Sequence, residues 1–250
     1  MLSFPQSTPV LPSLSVGRET FRQACRQSDA CGFTRLELLA VLFLCAIILV
    51  SQLPALARSR DAGHRAVCAN NLRRLGAALL THAAENDDSF PGRDSRNPWP
   101  RLLLSYYQQT NTLHCPSDST NSADFGMGTT NYFGPRSYIF NGWADYFFTR
   151  TLSQRFPFPI SAIKRPNDTI LFGEKQTYSG HWWFDYNQGD DLSQLEQARH
   201  FNELNSQTQF GGSNHAFADG SVRFLKFGQS LSPVNLWFVI EEFRNAYQPF

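Results

Sequence analysis

The chain has 250 residues, 42% of them hydrophobic and 17% charged, a balance that excludes an intrinsically disordered polypeptide. Its 22 basic and 21 acidic residues leave a net charge of +1. That excludes a general nucleic-acid binder, which needs a basic excess to displace counterions from phosphate.

In chain order, the first feature is an apolar run from Leu36 to Ala57. From Leu38 to Val50 thirteen consecutive residues lack a polar or charged side chain. Ser51 and Gln52 interrupt, and Leu53-Pro-Ala-Leu-Ala57 follows. Together they approach the roughly 20 residues that, at about 1.5 Å of rise each, cross a bilayer core. Ala55-Leu56-Ala57 also has the form of a signal-peptidase site, so an exported protein cut after Ala57 is a competing reading. Against it, the run begins late and the sequence after Ala57 continues as helix. Glu37 stands almost at the start of the run. A carboxylate within a membrane helix costs on the order of 2.5–3.5 kcal/mol, so it normally has a partner or a task; placement at headgroup level is the plainer alternative.

Gly32-Phe33-Thr34-Arg35-Leu36-Glu37-Leu38-Leu39 resembles the processing site of the type IV pilin and type II secretion pseudopilin superfamily. The resemblance implies a leader at 1–32, removed by a prepilin peptidase between Gly32 and Phe33, with methylation of the new Phe33 amine. It implies that Glu37 pairs with the Phe33 amine of a neighbouring subunit during filament assembly. Bringing a buried cation to a buried anion offsets the desolvation of both. Pro54 occupies the place of the helix-kinking proline of that family. Arg35 departs from the family pattern, which has an apolar residue there; it would pair with Glu37 or reach lipid phosphates. The implied organisation is a membrane-spanning helix half at 33–57, an outer helix half at 58–86 and a globular pilin-like domain at 87–250. The implied partners are the peptidase/methylase, other pilin-like subunits and the inner-membrane assembly platform. The implied location is a single-pass inner-membrane protein whose C-terminal domain lies in the periplasm or on an extracellular filament.

After the span, Cys68, Leu72, Leu75 and Leu79 recur at helical spacing, widened by Val67, Ala78 and Ala83, with Arg65, Arg73 and Arg74 on the opposite side. Asn86-Asp-Asp-Ser-Phe-Pro-Gly92 supplies stop signals, so one helix is expected from Phe33 to about Glu85. This stretch, with Cys115-Pro and the His215-to-Leu225 segment, also resembles pilin-like families of planctomycete and verrucomicrobial bacteria. Residues 87–134 read as a long surface loop region. Ser137–Asn141 and Thr169–Phe172 read as strands. Asp219-Gly220 suits a two-residue hairpin turn that would place Phe217, Val222 and Phe224 on one covered side. A final helix is expected over Pro233–Ala246. The fold expected is α+β: a long N-terminal helix, its first half transmembrane, packed on a small antiparallel sheet with long loop insertions.

With Cys25 and Cys31 in the leader implied by the resemblance and Cys45 in the span, Cys68 and Cys115 remain on the oxidising side. A disulfide is expected there, with two free buried cysteines as the alternative. No metalloprotease spacing or nucleophile elbow is present, so no catalytic residue is assigned and a structural, non-enzymatic role is expected. His215 and Asp219 are read as a hydrogen bond that fixes the hairpin, with a metal-ligand pair as the alternative. Asp185, Asp190 and Asp191 are read as a solvated acidic loop, with calcium as the alternative ligand. The neighbouring Trp182, Trp183, Phe184 and Tyr186 are read as core or interface packing. The runner-up function is a membrane-anchored module that binds carbohydrate or a metal.

Overall fold

The computed structural model describes residues 34–118, 136–185, 191–201 and 211–246. Gly32, Phe33, Tyr186 and Asp190 therefore lie outside the described residues. The architecture is mixed α+β. Helix α1, Arg35–Ala84, runs for 50 residues and continues through position 54. It stops where Asp87 and Asp88 take positive φ values of 51° and 48°, a conformation that no helix can propagate. The chain divides into two compact units, the first ending at Leu53 and the second covering Pro54–Phe250.

In the first unit α1 shows its apolar side chains outward, with Leu36 77%, Phe43 67% and Leu49 68% exposed. The helix is long and apolar enough to cross a membrane.

In the second unit the elements after α1 are β1 (Ser89–Phe90), α2 (Trp99–Leu102), α3 (Leu104–Tyr107), β2 (Tyr138–Asn141) and α4 (Ala144–Thr149). Then come β3 (Phe158–Pro159), β4 (Ile170–Glu174), β5 (Trp183–Phe184), α5 (Asp191–Gln194), β6 (Gly212–Phe217), β7 (Val222–Lys226) and α6 (Glu241–Ala246). Strands β1 and β3 form a small antiparallel pair. The main sheet has the order β5-β2-β4-β6-β7. Its pairs are antiparallel except β2 with β5, which run parallel, a departure from the wholly antiparallel sheet expected.

Both faces of this sheet are covered, so β2, β4 and β6 are buried along their whole length rather than in alternation. One face packs against α1 through Cys68, Leu72, Leu75, Leu79 and Ala83, which join Phe140, Phe172 and Ala216 in one cluster. Val67 does not widen this stripe; it stays 47% exposed. Arg65 is not purely on the solvent side either, since its guanidinium lies 4.9 Å from the ring centres of Phe201 and of Phe224. The other face carries Ile139, Ile170, Phe184, Phe217, Leu231 and Trp237. Gly173 permits this second layer: a Cβ there would come within 2.8 Å of the Trp237 ring.

The hairpin differs from the two-residue turn expected. Phe217 N–H donates to Ser221 O at 2.9 Å and Gly220 N–H to Phe217 O at 3.0 Å, and Gly220 takes φ of 83°. This is a three-residue loop closed by a glycine in the left-handed region. The extra residue pairs Ala216 with Val222 and turns Phe217 to the opposite face, because side chains alternate along a strand. Val222 packs with the α1 cluster, while Phe217 lies in the other.

Two further expectations are corrected. The loop region at 87–134 supplies core residues: Trp99 and Leu103 are buried, Trp99 meets Phe172 edge-on at 5.0 Å and its Nε1 donates to Trp182 O at 2.8 Å. The final helix is only α6. Before it the chain bends at Asn235, whose Oδ1 accepts Trp237 N–H at 3.0 Å. Asp145 Oδ2 then accepts Val239 and Ile240 N–H, each at 2.7 Å, at the start of α6. Burial pushes the Asp145 carboxyl up, against the pull of those backbone donors.

Candidate functional site

The residues that the sequence singles out fall into separate places. At the start of α1, Thr34 and Glu37 cap the helix reciprocally. Thr34 N–H and Oγ1 donate to Glu37 Oε2 at 2.9 and 3.0 Å, and Glu37 N–H donates to Thr34 Oγ1 at 3.2 Å. Thr-x-x-Glu is the sequence form of this capping box; Thr34-Arg-Leu-Glu37 carries it, although the sequence had singled out only Glu37. Arg35 forms no ion pair with Glu37 among the described residues. Glu37 thus stands in the first turn of an apolar, exposed helix, with both of these hydrogen bonds on one carboxylate oxygen.

The structure joins Cys68 to Cys115 by a disulfide, with sulfurs 2.07 Å apart and α-carbons 5.0 Å apart across 47 residues. The bond ties the middle of α1 to the segment leading to β2. Asn71 Nδ2 strengthens this tie by donating to His114 O at 2.9 Å. Cys45 is a free, exposed cysteine in the first unit.

Beside the disulfide lies a buried polar cluster that sequence reasoning missed. His200 Nε2 is 3.0 Å from Glu174 Oε1 and 3.8 Å from Cys115 Sγ, and its Nδ1 is 3.3 Å from Ser117 Oγ. Glu174 and His200 are both fully buried. Adjacent to it, Asp118 receives Ser137 Oγ and Thr177 Oγ1, each at 2.7 Å, and forms an ion pair with Arg199 at 3.0 Å. Burial alone would raise the Asp118 carboxyl; Arg199, Thr177 and Ser137 outweigh it and hold the group below its ordinary value. These residues come from distant parts of the chain, so no local spacing announces them. The one available signal was polar residues at strand positions otherwise filled by apolar ones, as in Leu171-Phe-Gly-Glu174.

The remaining assignments separate. His215 Nδ1 lies 3.1 Å from Ser213 O, whereas Asp219 Oδ1 accepts Ser221 N–H at 2.8 Å; the expected His215–Asp219 bond is not formed. Three-residue closure of the hairpin explains this, since it pairs His215 with Arg223. Burial lowers His215 to about 4, against the upward pull of Glu174 and of the Ser213 carbonyl. Asp185 is buried rather than solvated and holds Arg93 at 2.7 Å and Gln154 at 3.1 Å, so its charge is compensated within the protein. Asp191 begins α5. Of the aromatic group, Phe184 packs on Trp237 at 4.6 Å and Arg136 stacks over Trp182 at 3.5 Å.

No protein-family model matches the chain, and neither a curated protein nor a solved structure matches it.

Proposed function

We propose that this chain is a structural subunit of a type II secretion pseudopilus or a type IV pilus-like filament, cut by prepilin peptidase between Gly32 and Phe33 and assembled through α1. Before assembly it spans the inner membrane once, with the second unit in the periplasm. The observation that carries the reading is a carboxylate, Glu37, in the first turn of a helix whose apolar side chains face outward. An exposed apolar helix of this length needs lipid or other helices around it. A carboxylate at its head needs a counter-charge once lipid or protein surrounds it. A neighbour's Phe33 amine supplies that charge, and outward-facing apolar helices supply the packing surface. In the lone chain the Thr34 capping box holds Glu37 oriented along the helix end.

Replacing Glu37 tests the reading. Glu37→Gln keeps the shape and removes the charge. The expected result is normal membrane insertion and normal cleavage, with incorporation into sheared filaments lost. Thr34→Ala, which removes the cap but keeps the charge, is expected to retain most incorporation. Normal incorporation of Glu37→Gln would contradict the pairing role.

A further inference from the structure

We propose that Cys68, Cys115, Glu174 and His200 form a zinc site when the two cysteines are thiols rather than a disulfide. One ligand atom from each of the four lies within 4.8 Å of the other three, and all four residues are fully buried. A tetrahedral Zn2+ with bonds of about 2.0–2.3 Å sets neighbouring ligand atoms roughly 3.3–3.8 Å apart. His200 Nε2 already lies 3.8 Å from Cys115 Sγ and 3.0 Å from Glu174 Oε1, so the ring nitrogen needs little movement. Two sulfurs released from their bond separate to van der Waals contact, close to the same spacing.

A second observation points independently to a cation. Glu174 Oε2 is buried and has no hydrogen-bond partner among the described residues, a costly state for a carboxylate oxygen. A metal bound there would satisfy it. The other ring nitrogen of His200, Nδ1, faces Ser117 Oγ at 3.3 Å and Asp61 Oδ1 at 4.0 Å, the outer-sphere support that fixes a ligating imidazole. Two thiolates, one imidazole and one carboxylate favour zinc over the hard cations calcium and magnesium, which take oxygen ligands.

The two states interconvert by balanced thiol–disulfide exchange. A small-molecule or protein disulfide, RSSR, takes two electrons from the zinc-bound thiolates. Its S–S bond breaks, the Cys68–Cys115 bond forms, and two RS− thiolates and Zn2+ leave. The zinc form thus belongs to reducing conditions and the disulfide to oxidising ones.

The test uses the full chain in detergent, with Cys25, Cys31 and Cys45 changed to Ser so that only the two thiols of interest remain. The protein is reduced with a phosphine under nitrogen and titrated with Co2+, then with Zn2+. One Co2+ per chain is expected, with thiolate-to-metal charge-transfer absorption and intense tetrahedral visible bands, displaced by one equivalent of Zn2+. The oxidised protein is expected to bind neither ion, and a disulfide oxidant to release bound zinc. His200→Gln and Glu174→Gln are each expected to weaken zinc binding by at least about tenfold. A folded, reduced chain without metal uptake would overturn the proposal, as would variants that bind zinc like the parent. If reduction unfolds the chain, recovery of its near-ultraviolet circular dichroism on adding zinc supports the site, and failure to recover overturns it.

Discussion

Along α1, Leu36, Phe43 and Leu49 are largely exposed, while Cys68, Leu72, Leu75 and Leu79 are completely buried. Both stretches are helical, yet the residues that make them so answer to different surroundings. The first is apolar on every side, the pattern of a helix that meets lipid or other helices all round. The second has an apolar stripe with Arg73 and Arg74 on the exposed side, the pattern of a helix that covers one face of a sheet. Stabilising contacts are therefore unevenly distributed along α1. Within the second unit, burial and a covalent tie hold the helix; in the first, its apolar side chains stay exposed among the described residues.

The largest expected effect breaks the covalent tie. Cys68→Ser with Cys115→Ser removes a link across 47 residues, and the chain-entropy account assigns it about 4 kcal/mol. Chemical denaturation of the detergent-solubilised protein measures this, and a loss below about 1 kcal/mol would show that the bond does not constrain the unfolded chain. Next, Leu72→Ala is expected to cost about 3 kcal/mol through the cavity it leaves under the sheet. Leu42→Ala, in the exposed half, is expected to change the same transition by less than about 0.5 kcal/mol. Equal losses at both positions would erase the distinction between the two halves.

A smaller effect sharpens the picture of the buried side. His215 ordinarily titrates near 6.5, and burial holds it to about 4 in the fold. The unfolded chain therefore takes up a proton at this residue as pH falls below 6.5, while the folded chain does not until about 4. The stability contribution of His215 is complete above 6.5 and is lost progressively between 6.5 and 4, on the order of 3 kcal/mol. In His215→Gln the slope of stability against pH over that window is expected to flatten; an unchanged slope would place the titration elsewhere.

How much of this was legible in the sequence depended on whether the determinant was local. The helix Arg35–Ala84 was legible because its apolar run, its stripe at Cys68, Leu72, Leu75 and Leu79, and its stop signals are all short-range. The hairpin was legible as a hairpin, but its loop length was not. Asp219-Gly220 serves a two-residue or a three-residue turn, and the one-residue difference moved Phe217 to the other face. Trp99 and Leu103 were hidden in a stretch dense with turn residues, because what buries them is a distant partner, Phe172 in the first case. The final helix was overestimated because the apolar residues Leu236 and Trp237 cover the second face of the sheet without being helical. The candidate site divides in the same way. Thr34 and Glu37 form a motif three residues apart, whereas Glu174 and His200 meet beside Cys68 and Cys115 only after the sheet has formed.

The most direct measurement is the N-terminus of the protein isolated from cells that carry a prepilin peptidase, read by sequencing and intact mass. The account predicts a chain that begins at N-methylated Phe33. A chain that retains residues 1–32, or one that begins at Arg58, would contradict it, because the amine that meets Glu37 would then not exist.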